Sequence, residues 1–123
     1  MEGHMKLEIY QTDKKDFVFF SFDHNAKAHQ IGDVLDLRNF GYRKVYCNNG
    51  INKESSELEL LEKIYILMNR DDRPYAQKMR SLSVSDVVVL DGRAYYCDSM
   101  GFKRINAVDT RAKARDAVLQ HDK

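Results

Sequence analysis

The pair Asp91-Gly92 constrains this chain more than any other two neighbouring residues. A two-residue type I′ hairpin needs positive φ at both central positions, which Asp-Gly tolerates and most pairs do not. The flanks agree with the turn. Val87-Val88-Val89-Leu90 is a β-branched run, and Ala94-Tyr95-Tyr96-Cys97 is an aromatic return strand. An isolated hairpin is at best marginally stable in water, so this one needs further strands or a helix to cover its apolar face.

The remaining patterns supply candidates. Lys6 to Gln11 alternates polar and apolar residues and reads as a half-buried strand. Thr12 to Asp16 is a polar turn. Phe17 to Phe22, apolar on both faces, reads as a central strand paired with the first in a hairpin. Asp23 to Gln30 has no clear period and is a loop or a short helix. Asp33 to Phe40 reads as a helical turn stopped by Gly41. Tyr42 to Cys47 alternates again, with Asn48-Asn49-Gly50 as the turn that closes it. Ser55 or Ser56 can cap the clearest helix, Ser56 with Glu59 makes a capping box, and Leu58, Leu61, Ile64, Tyr65 and Met68 then fall on one helical face. Gly101 allows a further turn, Phe102 to Ile105 a third strand, and Asp109 or Thr110 can cap a basic C-terminal helix through about Gln120. The expected fold is α+β: a small antiparallel sheet of hairpins packed against one main helix, with a C-terminal helix.

At 123 residues the chain fits one domain, able to bury about two-thirds of its extended surface. Met1 to Met5 reads as a vector-derived leader with the native start at Met5, leaving a single domain over 6–123. The N-terminus has no apolar h-region, and no apolar run approaches the roughly 18 residues of a membrane span. A cytoplasmic location and reduced Cys47 and Cys97 are therefore expected. The formal charge of +1 argues against both a bulk polyanion binder and an acidic mimic of DNA.

Three clusters are candidates for chemistry. His24 and His29 are separated by four residues, inside the ligand-pair spacing of structural zinc sites, and with Cys47 and Cys97 they would complete one tetrahedral shell. The two cysteines form no CxxC knuckle, so the alternative is two small hydrophobes and two surface histidines. Glu54, Glu57, Glu59 and Glu62 crowd the start of the main helix, where the dipole favours negative charge. They are either a partner-binding edge or a solvated helix start. Arg104, Arg111, Lys113 and Arg115 form a basic C-terminal group suited to phosphate or carboxylate, or an ordinary solvated face. No catalytic triad spacing and neither phosphate-binding glycine motif is present, so no enzyme is expected.

Residues 73 to 105 carry a resemblance. Arg73-Pro74, the run Met79-Arg80-Ser81-Leu82-Ser83-Val84-Ser85-Asp86, and Tyr95-Tyr96-Cys97-Asp98-Ser99-Met100-Gly101-Phe102 resemble the YodL-like domain. Ser85 departs from the pattern, which has Gly there. The resemblance implies a setting on Firmicutes plasmids, conjugative elements or phages, and no settled enzymatic activity. Small single-domain proteins of such elements often protect them. The function expected by that analogy is inhibition of a bacterial defence nuclease, in the manner of an anti-CRISPR protein that binds an RNA-guided type II effector and blocks DNA loading. The alternative is a nucleic-acid-binding accessory protein. Read physically, Ser83 and Asp86 suit hydrogen bonds to local backbone, Gly101 a positive φ, and Tyr95 and Phe102 the core.

Overall fold

A computed structural model of the chain describes residues 3–53 and 56–110. Its centre is a five-stranded antiparallel sheet. β1 (His4–Gln11) lies between β3 (Arg43–Asn52) and β4 (Val87–Leu90), and β5 (Arg93–Asp98) and β6 (Gly101–Ile105) follow β4 outward. A parallel pair joins β2 (Leu35–Asp36) to β7 (Ala107–Val108).

The Asp91-Gly92 hairpin forms as expected, with φ of 47° and 83° at its two central residues. The Asp91 carboxylate accepts Lys6 N–H at 2.7 Å, so the turn also pins β1 beside β4. Register then sorts side chains by face, because successive strand residues point to opposite sides. Leu7, Ile9, Val88, Leu90, Tyr95 and Cys97 face one core, which α2 (Glu57–Leu67) covers with Leu60, Leu61 and Ile64, and Met68 just beyond it. Tyr10, Val87, Ala94, Tyr96 and Ile105 face the other, covered by Phe17, Leu35, Leu37 and Tyr42. Burial of one such aliphatic or aromatic side chain is worth roughly 1.5–3 kcal/mol. α1 (Phe22–Ala28) and a 3₁₀ turn (Leu37–Phe40) sit over this second face, the latter ended by Gly41 at φ 73°.

Three local expectations change. Phe17 to Phe22 is not a strand, because both edges of β1 are taken by β3 and β4. Lys14 C=O instead accepts Phe17 and Val18 N–H in a turn, and Ser21 caps α1 through His24 N–H at 3.2 Å. The first hairpin is thus replaced by long-range pairing. Asn48-Asn49-Gly50 does not end β3. The register slips there, Met5 facing Ile51 and Leu7 facing Asn48, and Asn48 Oδ1 accepts Gly50 N–H at 2.8 Å. The turn residues make a bulge. Ser56 caps α2 by accepting Glu59 N–H, as the capping box requires, but the buried stripe is rotated from the expected one. Leu60 goes inside, while Leu58 and Tyr65 stay 59% and 44% exposed. The expected C-terminal helix lies outside the described residues. No helix among the described residues is long and apolar enough to cross a membrane.

Candidate functional site

The segment from Arg80 to Asp86 closes on itself around a buried carboxylate. Asp86 is 0% exposed, and Arg80 Nη1 lies 3.0 Å from both its oxygens. Gln11 Nε2 donates to Oδ2 at 3.0 Å and Ser83 N–H at 2.8 Å. Arg80 Nη2 donates to Thr12 C=O at 2.8 Å, so the loop is tied to the end of β1. Burial pushes the Asp86 carboxyl up to about 6, against the opposing pull of Arg80 and of the Ser83 and Gln11 donors.

Ser85 has a φ of 87°. A serine in that region is strained, yet its groups are used. Its Oγ accepts Phe19 N–H at 3.0 Å, its C=O accepts the Tyr42 hydroxyl, and its N–H donates to Cys97 C=O at 2.9 Å. The other signature residues do similar work. Tyr96 Oη donates to Phe20 C=O at 2.8 Å and accepts Asn25 Nδ2 at 2.9 Å. Asp98 Oδ1 accepts Phe22 N–H at 3.2 Å at the start of α1, and Gly101 takes φ 89°. Tyr95 is buried, and Phe102 packs half-buried against the same core. Arg80, Ser83, Ser85, Asp86, Tyr96 and Asp98 of the signature are thus engaged in holding the fold.

The four residues considered for zinc are not brought together. Cys97 is buried on the α2 side of β5, and burial pushes its thiol well above the usual range. Cys47 is exposed on edge strand β3, facing Glu8 on the opposite side of the sheet. Three strand spacings, about 14 Å, also separate β3 from β5. His24 stacks on Phe20 with centroids 4.2 Å apart, and His29 Nε2 lies 2.9 Å from Asp16 C=O. Period-two alternation alone therefore forbids the Cys₂His₂ shell. Among the described residues no group of three or more His, Cys, Asp or Glu could hold a metal ion.

The acidic residues fare differently. Glu57 pairs with Arg93, Glu59 and Glu62 are exposed along α2, and Glu54 lies outside the described residues. Of the basic group only Arg104 is described. It is exposed on β6 with its guanidinium 5.6 Å from the Tyr95 ring centroid, and Arg111, Lys113 and Arg115 lie outside.

The feature that residue motifs did not disclose is a groove of about 470 Å³ between α2 and the β5–β6 hairpin. Leu58, Tyr65 and Ile66 form the helix wall, with Glu62 among them. Val84 and Phe102 face them, over a floor that includes Cys97. Tyr65 and Phe102 meet edge to face at 6.3 Å. The signal was present in the sequence as surplus: α2 carries more apolar residues than one covered stripe uses, and Ile66 is left 65% exposed.

An antiparallel sheet between two helical layers, stitched by a buried carboxylate loop, defines a small α+β domain. The family model of the YodL-like domain matches residues 6–107, well beyond the stretch that carries the signature, and the chain belongs to that family. No curated protein and no solved structure matches it.

Proposed function

We propose that this protein acts by binding another protein, through the outer side of α2 and the adjoining groove, and carries out no chemistry of its own. The observation that carries the reading is the groove itself: apolar walls left open to solvent beside Glu59 and Glu62, on a domain whose signature residues are occupied in the fold. Continuous apolar patches with a charged rim are the usual mark of a protein contact.

The specific partner we assign is a bacterial defence nuclease, in particular an RNA-guided type II effector, with the protein encoded by a mobile element and acting in the host cytoplasm. Such effectors hold their heteroduplex in a positively charged channel. Glu59 and Glu62, exposed on α2, offer local negative charge to such a surface without requiring an acidic molecule overall. The test is capture of the purified effector by tagged protein, followed by a cleavage assay. Capture and loss of cleavage are expected. Unaffected cleavage at large molar excess would overturn the assignment.

A second reading, a nucleic-acid-binding accessory protein, rests on Lys103 and Arg104, both exposed on edge strand β6. It adds Arg111, Lys113 and Arg115. Affinity for free DNA falling linearly in log–log form with salt would support it. A stable nuclease complex with no affinity for free DNA would support the first.

A further inference from the structure

Resting on the protein-binding reading, we propose that the groove receives an amphipathic segment of the partner that places Lys or Arg beside bulky apolar side chains. The first argument is shape. Leu58, Tyr65 and Ile66 stand at positions i, i+7 and i+8 on the exposed side of α2, a stripe about 12 Å long at 1.5 Å rise per residue. Val84 and Phe102 supply the facing wall, so an incoming apolar side chain is contacted from two sides. This is the arrangement by which a groove takes the apolar face of a helix.

The second argument is charge. Among the described residues that line the groove, Glu62 supplies the carboxylate on the α2 side, and no Lys or Arg is present. The Asp98 carboxylate is turned to the other face of β5, where it accepts the N–H groups of Phe22 and Ser99. Glu59 precedes Glu62 by one turn and is exposed as well. A carboxylate such as that of Glu62 beside a low-dielectric wall favours a cation. Tyr65, 44% exposed, adds an aromatic face on which an ammonium or guanidinium can sit. The floor adds no reactive group, since the Cys97 thiol is buried and held protonated.

The experiment uses the full chain and three fluorescent peptides of about 18 residues: Leu and Lys at helical spacing, the same with Glu for Lys, and the Leu/Lys composition scrambled. Binding is read by anisotropy near 0.1 M salt, and sedimentation gives the oligomeric state. The patterned Leu/Lys peptide is expected to bind at least about tenfold more tightly than the other two. Ile66→Asp should weaken it at least about tenfold without moving the unfolding curve, and Glu62→Lys should shift preference toward the Leu/Glu peptide. Binding indifferent to Ile66→Asp, or a preference unmoved by Glu62→Lys, would overturn the inference. So would a dimer that Ile66→Asp converts to monomer, because a second copy would then cover the groove. The two levels separate cleanly. The expected peptide pattern without nuclease capture removes the nuclease and keeps the groove, whereas capture unaffected by Ile66→Asp removes the groove and keeps the nuclease.

Discussion

Asp86 is a charged residue with no exposed surface, and Ile66 is an apolar residue with 65% of its surface in water. Each inverts the ordinary preference of its side chain, and the difference lies in what surrounds them. Around Asp86 an arginine, a glutamine and a backbone N–H converge on Oδ2, and Arg80 also lies 3.0 Å from Oδ1, so part of the cost of burial is offset within the loop. Around Ile66 nothing offsets the exposure. A buried polar knot whose members are bonded to one another specifies a conformation. An open apolar wall specifies a contact still to be made. The family signature runs through both regions: Arg80, Ser83 and Asp86 belong to the first, and Val84 and Phe102 to the second.

Substitutions should break the two regions in opposite ways. Asp86→Ala removes one partner of a buried ion pair and takes away the acceptor of Arg80 Nη1 and of Ser83 N–H. A loss of about 3–5 kcal/mol in denaturant unfolding is expected. A loss under about 1 kcal/mol would mean the loop is held by something other than the knot.

The pH dependence is the next effect in size. The folded-state pKa of Asp86 is raised from 3.8 to about 6, so the native state binds the proton more tightly than the unfolded chain does. Its contribution to stability therefore grows as pH falls from about 6 to about 4, by at most about 3 kcal/mol. Unfolding of the wild type against Asp86→Asn at pH 7 and pH 4 should show the wild type gaining on the variant. The opposite trend would mean the Arg80 pair, and not burial, dominates the site.

Ser85 gives a smaller and finer test. Ser85→Gly releases the strain at φ 87° but gives up the acceptor for Phe19 N–H, so the two effects, each about 1 kcal/mol, largely cancel. Ser85→Ala keeps the strain and loses the bond, and it should be about 1–2 kcal/mol less stable than Ser85→Gly. Equal stability of the two would show that the backbone at φ 87° stores no strain.

What was legible in the sequence was local chemistry. Asp91-Gly92, the Ser56 cap and the Gly41 helix stop each follow from the φ or hydrogen bond of one residue, and each is found. What was not legible depends on distant partners. The run Phe17 to Phe22 is as apolar as a central strand, but only the pairing of β1 with β3 and β4 decides that it has no edge to join. Cys47 and Cys97 look like a pair until register puts them on opposite faces. The groove was hidden for the same reason. Which apolar residues of α2 are covered depends on the sheet beneath, and rotating the stripe from Leu58 to Leu60 is what leaves the wall exposed.

The most direct measurement records stability and binding on the same Ile66→Asp sample. Stability residing in the knot and recognition residing in the groove require an unfolding midpoint unmoved to within about 0.5 kcal/mol, together with at least about a tenfold loss of affinity for the patterned Leu/Lys peptide. Retained affinity, or a midpoint that falls in step with it, would contradict that division.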